Sequence, residues 1–185
     1  MDGAKAVMDS VIAYQPVSES TLNALSPEFQ VQIREVQEEI EKELSGSKGV
    51  RKDLPEGKPQ EWLPKIVAEH KGRIVFVDFW ATWCGPCRKG MEEMESVKDS
   101  LKEKGVDFVY ITDTSSDTNE WKEYITQHEG VHYIVPKDKK DAMQIPDYEN
   151  FIPHYLIYDR EGKFVKSIGG WHGVEKMMQE LSEVQ

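Results

Sequence analysis

The chain contains two cysteines, Cys84 and Cys87, which are separated only by Gly85 and Pro86. Two thiols at this spacing can close a small disulfide ring and exchange it with another disulfide through a mixed disulfide. A structural disulfide is a weaker interpretation, because closing so short a loop removes little entropy from the unfolded chain. A structural zinc site is also disfavoured, because the chain has no second cysteine pair to complete it. The pair therefore predicts thiol–disulfide exchange.

The cysteines lie where a buried strand, predicted from Ile74 to Phe79, is followed by a helix predicted from about Gly85 to Lys104. The first N–H groups of a helix are unpaired, and the helix dipole favours a negative charge beside them. We therefore expect Cys84, as the exposed member of the pair, to have a lowered pKa and to act as the nucleophile. Cys87 follows one turn later and is expected to be more buried.

The residues around the cysteines suit the same chemistry. Pro86 stiffens the disulfide ring and fits the first helical turn, where its missing N–H costs little. Trp80 and Trp83 supply an apolar wall beside the thiols and limit the access of water. The segment from Val77 to Arg88 is therefore a candidate active site.

From about residue 60 onward, strand patterns alternate with helix patterns. Asp117 and Glu120 have the spacing of a helix capping box, and Arg160 to Lys163 has the composition of a hairpin turn. This order predicts an α/β fold with a mixed central sheet and helices on both faces. The predicted strands are Ile74–Phe79, Phe108–Thr112, Val131–Val135, Tyr155–Tyr158 and Phe164–Ile168, and the predicted helices are Glu61–His70, Gly85–Lys104, Asp117–Gln127 and one through Val174 and Leu181.

Residues 1–58 have a different pattern, which predicts a helical N-terminal extension. Apolar residues at helical spacing predict a short helix from Ala4 to Ile12 and a longer one that begins at Ser26-Pro27-Glu28. The turn-forming residues from Pro55 to Pro59 mark the boundary with the next unit. The sequence therefore predicts two domains, over residues 1–58 and 59–185.

The composition argues against several classes of protein. A formal net charge of −11 disfavours a nucleic-acid binder, which needs a basic surface to neutralise phosphates, and disfavours docking on an anionic membrane. The longest apolar runs, such as Ile74 to Val77, are too short to span a bilayer. No secretion signal is predicted, because Met1-Asp2-Gly3 carries no basic region and Asp9 interrupts the apolar stretch.

The segment Val77-Asp78-Phe79-Trp80-Ala81-Thr82-Trp83-Cys84-Gly85-Pro86-Cys87-Arg88 resembles the active site of thioredoxins almost residue for residue. The resemblance extends over about residues 59 to 182 and implies a thioredoxin-like fold for the domain at 59–185. It implies that Ile152-Pro153 is the family's cis-proline site, whose backbone pairs with substrate. Gly169 would be the glycine that lets substrate approach the groove. Asp78 would be the buried carboxylate that relays the proton of Cys87.

Two features point to a subfamily. The interval between Cys87 and Pro153 is 65 residues long, which leaves room for one βα unit more than simple thioredoxins carry. With the cysteine segment, this resembles the TlpA/ResA-type thioredoxins of the bacterial cell envelope. The chain departs from the pattern at Glu92, where thioredoxins usually place a proline, and at Gly90, where ResA-type proteins often carry a glutamate.

The resemblance implies a protein-disulfide reductase. Its redox-active group would be the Cys84–Cys87 disulfide, and no metal or other cofactor is expected. The dipeptide Gly85-Pro86 and the residue Ile152 are like those of reducing thioredoxins. The implied catalytic residues are Cys84, Cys87 and Asp78, and the implied substrate-binding residues are Trp83, Gly85, Pro86, Ile152, Pro153 and Gly169.

One alternative function stays open, a copper-binding module that uses Cys84, Cys87 and His154 as ligands. Copper carriers that resemble this fold usually separate their cysteines by three residues rather than two. For a reductase, we expect disulfide-containing protein substrates and an upstream electron-donor thiol protein as partners. The resemblance favours the bacterial cell envelope or periplasm, with a possible membrane tether outside this sequence, and the cytoplasm is the alternative.

Overall fold

The computed structural model describes residues 17–184, and the chain divides after Ser47 into two compact units. In the first unit, helix α1 spans Glu19–Leu22 and helix α2 spans Pro27–Ser45. Helix α2 begins at the proline that the sequence predicts, so a helical segment does precede the second unit. The helix predicted over Ala4–Ile12 lies outside the described residues.

The second unit alternates strands with helices, as predicted. Among residues 17–184, none of the helices combines the length and the apolar character needed to cross a membrane. The strands are β1 (Gly49–Arg51), β2 (Ile74–Phe79), β3 (Val106–Asp113), β4 (Gly130–Val135), β5 (His154–Tyr158) and β6 (Phe164–Gly169). The helices are α3 (Pro59–Ala68), α4 (Gly85–Glu103), α5 (Thr118–Gln127), α6 (Lys137–Lys140) and α7 (Val174–Ser182), and a 3-10 turn spans Asp141–Met143.

These strands form one mixed sheet in the order β1-β4-β3-β2-β5-β6. The first four strands of that order run parallel, whereas β5 pairs antiparallel with β2 and β6 pairs antiparallel with β5. Strand β2 lies between β3 and β5, and all of its residues are buried. The strand that leads into the cysteines is therefore held on both sides and on both faces.

The side chains of β2 and the residue after it alternate between two hydrophobic clusters on opposite faces of the sheet. Phe76 and Trp80 belong to the cluster covered by α4, α5 and α7, whereas Val77 and Phe79 belong to the cluster covered by α3. The predicted helices on both faces are thereby confirmed. Because successive side chains of a strand alternate, Asp78 shares the face of Phe76 and Trp80, which is the face covered by α4.

Strand β1 is the element that the sequence does not predict. It has only three residues, of which one is buried, and so carries no usable periodicity. It pairs in parallel with β4, with Val50 opposite Val131. This pairing attaches the chain after Ser47 to the sheet, so the unit boundary lies earlier than the predicted one at residue 58.

The predicted start of helix α5 is confirmed. The carboxylate of Asp117 accepts hydrogen bonds from the backbone N–H groups of Asn119 and Glu120, at 2.9 and 3.0 Å. These bonds satisfy two of the donors that a helix leaves unpaired at its beginning. The cap fixes the end of the loop after β3, which also carries Ser115, the hydrogen-bond partner of Trp83.

Candidate active site

Cys84 and Cys87 form a disulfide at the point where β2 leads into α4. Cys84 is the N-cap residue of α4, and its Sγ accepts the backbone N–H of Cys87 at 3.3 Å. Gly85 and Pro86 form the exposed first turn between the two cysteines. After reduction, a thiolate on Cys84 would lie against this N–H and the positive end of the helix dipole, as predicted.

The prediction that Cys84 is exposed is wrong, because only 5% of it is accessible to solvent. The carbonyl oxygen of Ile152 lies 3.8 Å from its Sγ, and Ile152 packs against the same hydrophobic cluster as the cysteines. The loop that carries Ile152 therefore covers the sulfur. Cys87 is fully buried, as expected for the second cysteine.

The sheet brings the remote candidate residues to the disulfide. The peptide bond between Ile152 and Pro153 is cis, as the resemblance implies. The next residue, His154, is paired with Phe79 on β2 and with Gly169 on β6. Since Phe79 is the last residue of β2, Ile152, Pro153 and Gly169 all lie at the end of the sheet where α4 begins.

Two exposed aromatic side chains, Trp83 and Phe151, lie in the two segments that meet at the disulfide. They are 61% and 41% exposed, and the other Trp, Phe and Tyr side chains of residues 48–184 are buried or half-buried. The indole Nε1 of Trp83 donates a hydrogen bond to Ser115 Oγ at 3.0 Å, which fixes the ring beside the site. Trp80, by contrast, is buried in the core, so only Trp83 of the two predicted tryptophans offers a surface to a partner.

Phe151 is a residue of this site that sequence reasoning missed. A Cβ atom on Gly169 would lie 2.3 Å from Cζ of the Phe151 ring, so the ring rests directly on the glycine. The space above Gly169, which the resemblance assigns to the approach of substrate, is thus partly filled by Phe151. Its position next to Ile152-Pro153 is the sequence signal that could have drawn attention to it.

Asp78 is buried on the face of the sheet that α4 covers, and it pairs in register with Tyr110 on β3 and Tyr155 on β5. Its Oδ1 makes no hydrogen bond to any described group. Burial raises the pKa of Asp78 well above its usual range, and the positive charge of Lys98 partly offsets this effect. The carboxyl therefore keeps its proton at pH values at which an exposed aspartate is ionised.

His154 does not join the cysteines as a ligand. It is buried, and its Nε2 donates a hydrogen bond to the carbonyl oxygen of Pro146 at 3.0 Å. Burial lowers the pKa of the imidazole. Across the described range 17–184, no group of three or more His, Cys, Asp and Glu side chains is arranged to hold a metal ion. The copper alternative therefore lacks its third ligand in this geometry.

A family model described as thioredoxin-like matches residues 72–164, which is just over half of the chain. The chain belongs to the thioredoxin-like family. The solved structure of a thioredoxin-family thiol:disulfide interchange protein from Chlorobium tepidum covers 63% of this chain and 83% of its own, with a TM-score of 0.55 and 23% identity. The predicted thioredoxin-like fold is therefore confirmed.

Curated relatives extend the similarity to one named group. The thiol-disulfide oxidoreductase ResA of Bacillus thuringiensis (strain Al Hakam) is 31% identical over 114 residues, which are 62% of this chain and 65% of the relative. ResA of Bacillus subtilis (strain 168) is 32% identical over 108 residues, or 56% of this chain and 57% of the relative. The chain thus covers less than two thirds of each of these relatives.

Of the two departures from the family patterns, the one at Gly90 has a structural basis in α4. A Cβ atom on Gly90 would lie 2.9 Å from both Cε3 of Trp171 and the hydroxyl of Tyr155, so a larger residue there would have to displace these side chains. Trp171 itself is fixed by a hydrogen bond from its Nε1 to Glu93 at 2.9 Å. The place where ResA-type proteins often carry a glutamate is therefore closed by an indole ring. Helix α4 continues unbroken through Glu92, where thioredoxins usually have a proline.

Replacing Gly169 by alanine should reduce the free energy of unfolding by about 1–3 kcal/mol, because the new Cβ meets the Phe151 ring. In a Phe151→Ala background, the same replacement should cost less than about 1 kcal/mol, since the ring is gone. Urea unfolding of the oxidised proteins measures both values. Gly85→Ala is the control, because a Cβ there meets nothing within 4 Å. An equal cost in both backgrounds would show that the ring is not what requires glycine at residue 169.

Proposed function

We propose that this protein is a thiol–disulfide oxidoreductase that reduces disulfides in other proteins. The observation that carries the proposal is the Cys84–Cys87 disulfide, which caps helix α4 beneath the carbonyl of Ile152 and beside the exposed Trp83. The ResA relatives are named thiol-disulfide oxidoreductases, which supports the same reaction class. Because the chain covers only part of those relatives, the activity is proposed from the geometry of the site.

In the proposed reaction, the reduced protein supplies two electrons. The Cys84 thiolate attacks one sulfur of the substrate disulfide, which forms a mixed disulfide and releases the other substrate sulfur as a thiolate. Cys87 then loses its proton and attacks Cys84 Sγ, which closes the Cys84–Cys87 disulfide and releases the second substrate thiolate. The substrate disulfide is reduced and the dithiol is oxidised, so the electrons balance.

Asp78 is proposed to accept the proton of Cys87 in the second step. It lies on the sheet face covered by α4, whose buried stripe includes Cys87. Burial keeps the affinity of its carboxyl for a proton high, so that it is a stronger base than an exposed aspartate. Trp83, Gly85, Pro86, Ile152, Pro153 and Gly169 are proposed to form the surface on which the substrate docks.

The direction and setting of the reaction are also proposals. Gly85-Pro86 and Ile152 are like the residues of reducing thioredoxins, which favours a reductant. An upstream thiol protein would then reduce its Cys84–Cys87 disulfide again. The similarity to ResA-type proteins favours the bacterial cell envelope as the setting. The proposed substrates are disulfides of proteins, for which the exposed Trp83 provides an apolar contact.

Replacing Cys87 by serine should trap the mixed disulfide, because the second step then has no attacking thiol. Cys84→Ser should trap nothing, since Cys87 is fully buried and cannot reach a substrate sulfur. Mass spectrometry after incubation of the reduced variants with intact, disulfide-bonded insulin measures the adduct. The parent protein should also accelerate insulin precipitation in dithiothreitol. Tight Cu(I) binding without any such acceleration would favour the copper-binding alternative.

The reduction potential should lie nearer to the value of thioredoxin, about −270 mV, than to that of the oxidant DsbA, about −120 mV. Equilibration with glutathione buffers, followed by alkylation of free thiols, gives the measurement. A value close to that of DsbA would assign the protein to disulfide formation instead.

Asp78→Asn should slow turnover near neutral pH by about 10²-fold, because Cys87 loses its proton acceptor, while the first attack by Cys84 keeps its rate. Stopped-flow measurement of the two steps separates these effects. The variant should also be at least as stable as the parent. A carboxyl with a raised folded-state pKa loses stability as pH rises from its unfolded pKa, about 3.9, to the folded value, and asparagine has no such loss. Equal turnover of both proteins would remove Asp78 from the mechanism.

A further inference from the structure

Lys98 is a lysine buried on the inner face of α4. Its side chain is 2% exposed. It lies on the buried stripe of the helix that also contains Cys87, Met91 and Met94. An ammonium group is among the most expensive groups to bury, so lysine is rarely found in such a position unless it is paired. Partners within the protein must therefore compensate for the burial of this ammonium group.

The partners of Lys98 hold its ammonium group inside the helix–sheet layer. Its Nζ donates to Glu95 Oε1, and the same oxygen lies 3.0 Å from Nδ1 of His128. On the sheet side, Nζ lies 5.0 Å from the centre of the Tyr110 ring and 5.4 Å from that of Phe108, within the range of cation–π attraction. The positive charge is thus directed toward β3 rather than toward solvent.

Tyr110 connects Lys98 with the candidate proton acceptor. It is the register partner of Asp78 on the neighbouring strand, and Asp78 lies on the same face of the sheet. The attraction is mutual. The charge of Lys98 lowers the pKa of Asp78, against the larger effect of burial. Burial lowers the pKa of Lys98, and Glu95, Glu129 and Asp78 favour its charged form against that effect.

The other titratable groups of this layer leave Lys98 as the cation that acts on Asp78. Burial raises the pKa of both Tyr110 and Tyr155, so these neighbours on β3 and β5 are neutral. On β4, burial lowers the pKa of His132 to about 3, so it is neutral as well. The remaining groups lie on the Lys98 side of the layer, where Glu95, Glu129 and His128 interact with the ammonium group or its partner.

We propose that Lys98 is a positioning residue for the second step of disulfide exchange, whose buried charge allows Asp78 to be a carboxylate when Cys87 must lose its proton. The proton then moves from the Cys87 thiol to the Asp78 carboxylate, and the resulting thiolate attacks Cys84 Sγ. This inference rests on the proposed function. It adds a residue that lies on the helix of the cysteines and has a charge opposite to that of Asp78.

The test is the titration of Asp78 in the oxidised protein, followed by NMR of its ¹³C-labelled carboxyl carbon. In Lys98→Met, the midpoint should move to higher pH by about one pH unit, because the attractive charge is lost. Lys98→Gln should give the same direction, and it keeps a hydrogen-bond donor for Glu95 if the methionine variant folds poorly. Lys102→Met is the matched control, since Lys102 lies one turn further along α4 and pairs with Glu129, but is 40% exposed. In Lys102→Met, the titration midpoint of Asp78 should not move.

Turnover supplies the second readout. The rise of kcat with pH should move upward in Lys98→Met by the same amount as the titration, whereas in an Asp78→Asn background the lysine replacement should cause no further shift. An unchanged Asp78 midpoint in a folded Lys98 variant would overturn the proposal, as would an equal shift in Lys102→Met. If the parent protein exchanges no disulfides but the midpoint still moves, the proposed function fails while the coupling of Lys98 with Asp78 stands.

Discussion

The position of Cys84 at the first turn of α4 is the constraint on which the rest of the site depends. In this position Sγ of Cys84 accepts the backbone N–H of Cys87, which has no partner within the helix. The sulfur is held there because β2, which leads into the helix, is paired on both sides with β3 and β5. The same pairing with β5 sets the Ile152 carbonyl over the sulfur. A shift of register in the centre of the sheet would therefore separate the nucleophile, its cover and the glycine of β6 at once.

Strand β2 also places a carboxyl group, that of Asp78, in the apolar layer around the cysteines. This layer must exclude water from the thiols, and burial alone would keep the carboxyl group protonated. The positive charge of Lys98, which is also buried, lowers the pKa of Asp78 and so offsets part of the effect of burial. Glu95 and two aromatic rings stabilise that positive charge in turn. The polar groups of the layer thus depend on one another, although they come from a helix and two strands.

The sequence predicts those parts of the molecule that leave a local pattern. The cysteine spacing, the alternation of strands and helices, and the cap at Asp117 are of this kind, and the structure confirms them. The features that the sequence does not predict depend on contacts between distant segments. Cys84 is covered by a loop 68 residues further along the chain, and β1 is a strand only because β4 lies beside it. Lys98 carries a weak signal, since a charge on the stripe of Met91 and Met94 is unusual, but Glu95 and Tyr110 become its partners only in the folded chain.

The contact between Gly90 and Trp171 has an evolutionary consequence. The two residues come from α4 and from the chain just after β6, yet each determines what the other can be. A descendant that gained a side chain at residue 90 would have to move or lose the indole at 171, which is the partner of Glu93. A side chain at residue 90 alone would disturb the packing of the indole, so a change there should be accompanied by a change at residue 171. The glutamate that ResA-type proteins often carry at this place would therefore have to come with a shift or a replacement of the indole at residue 171.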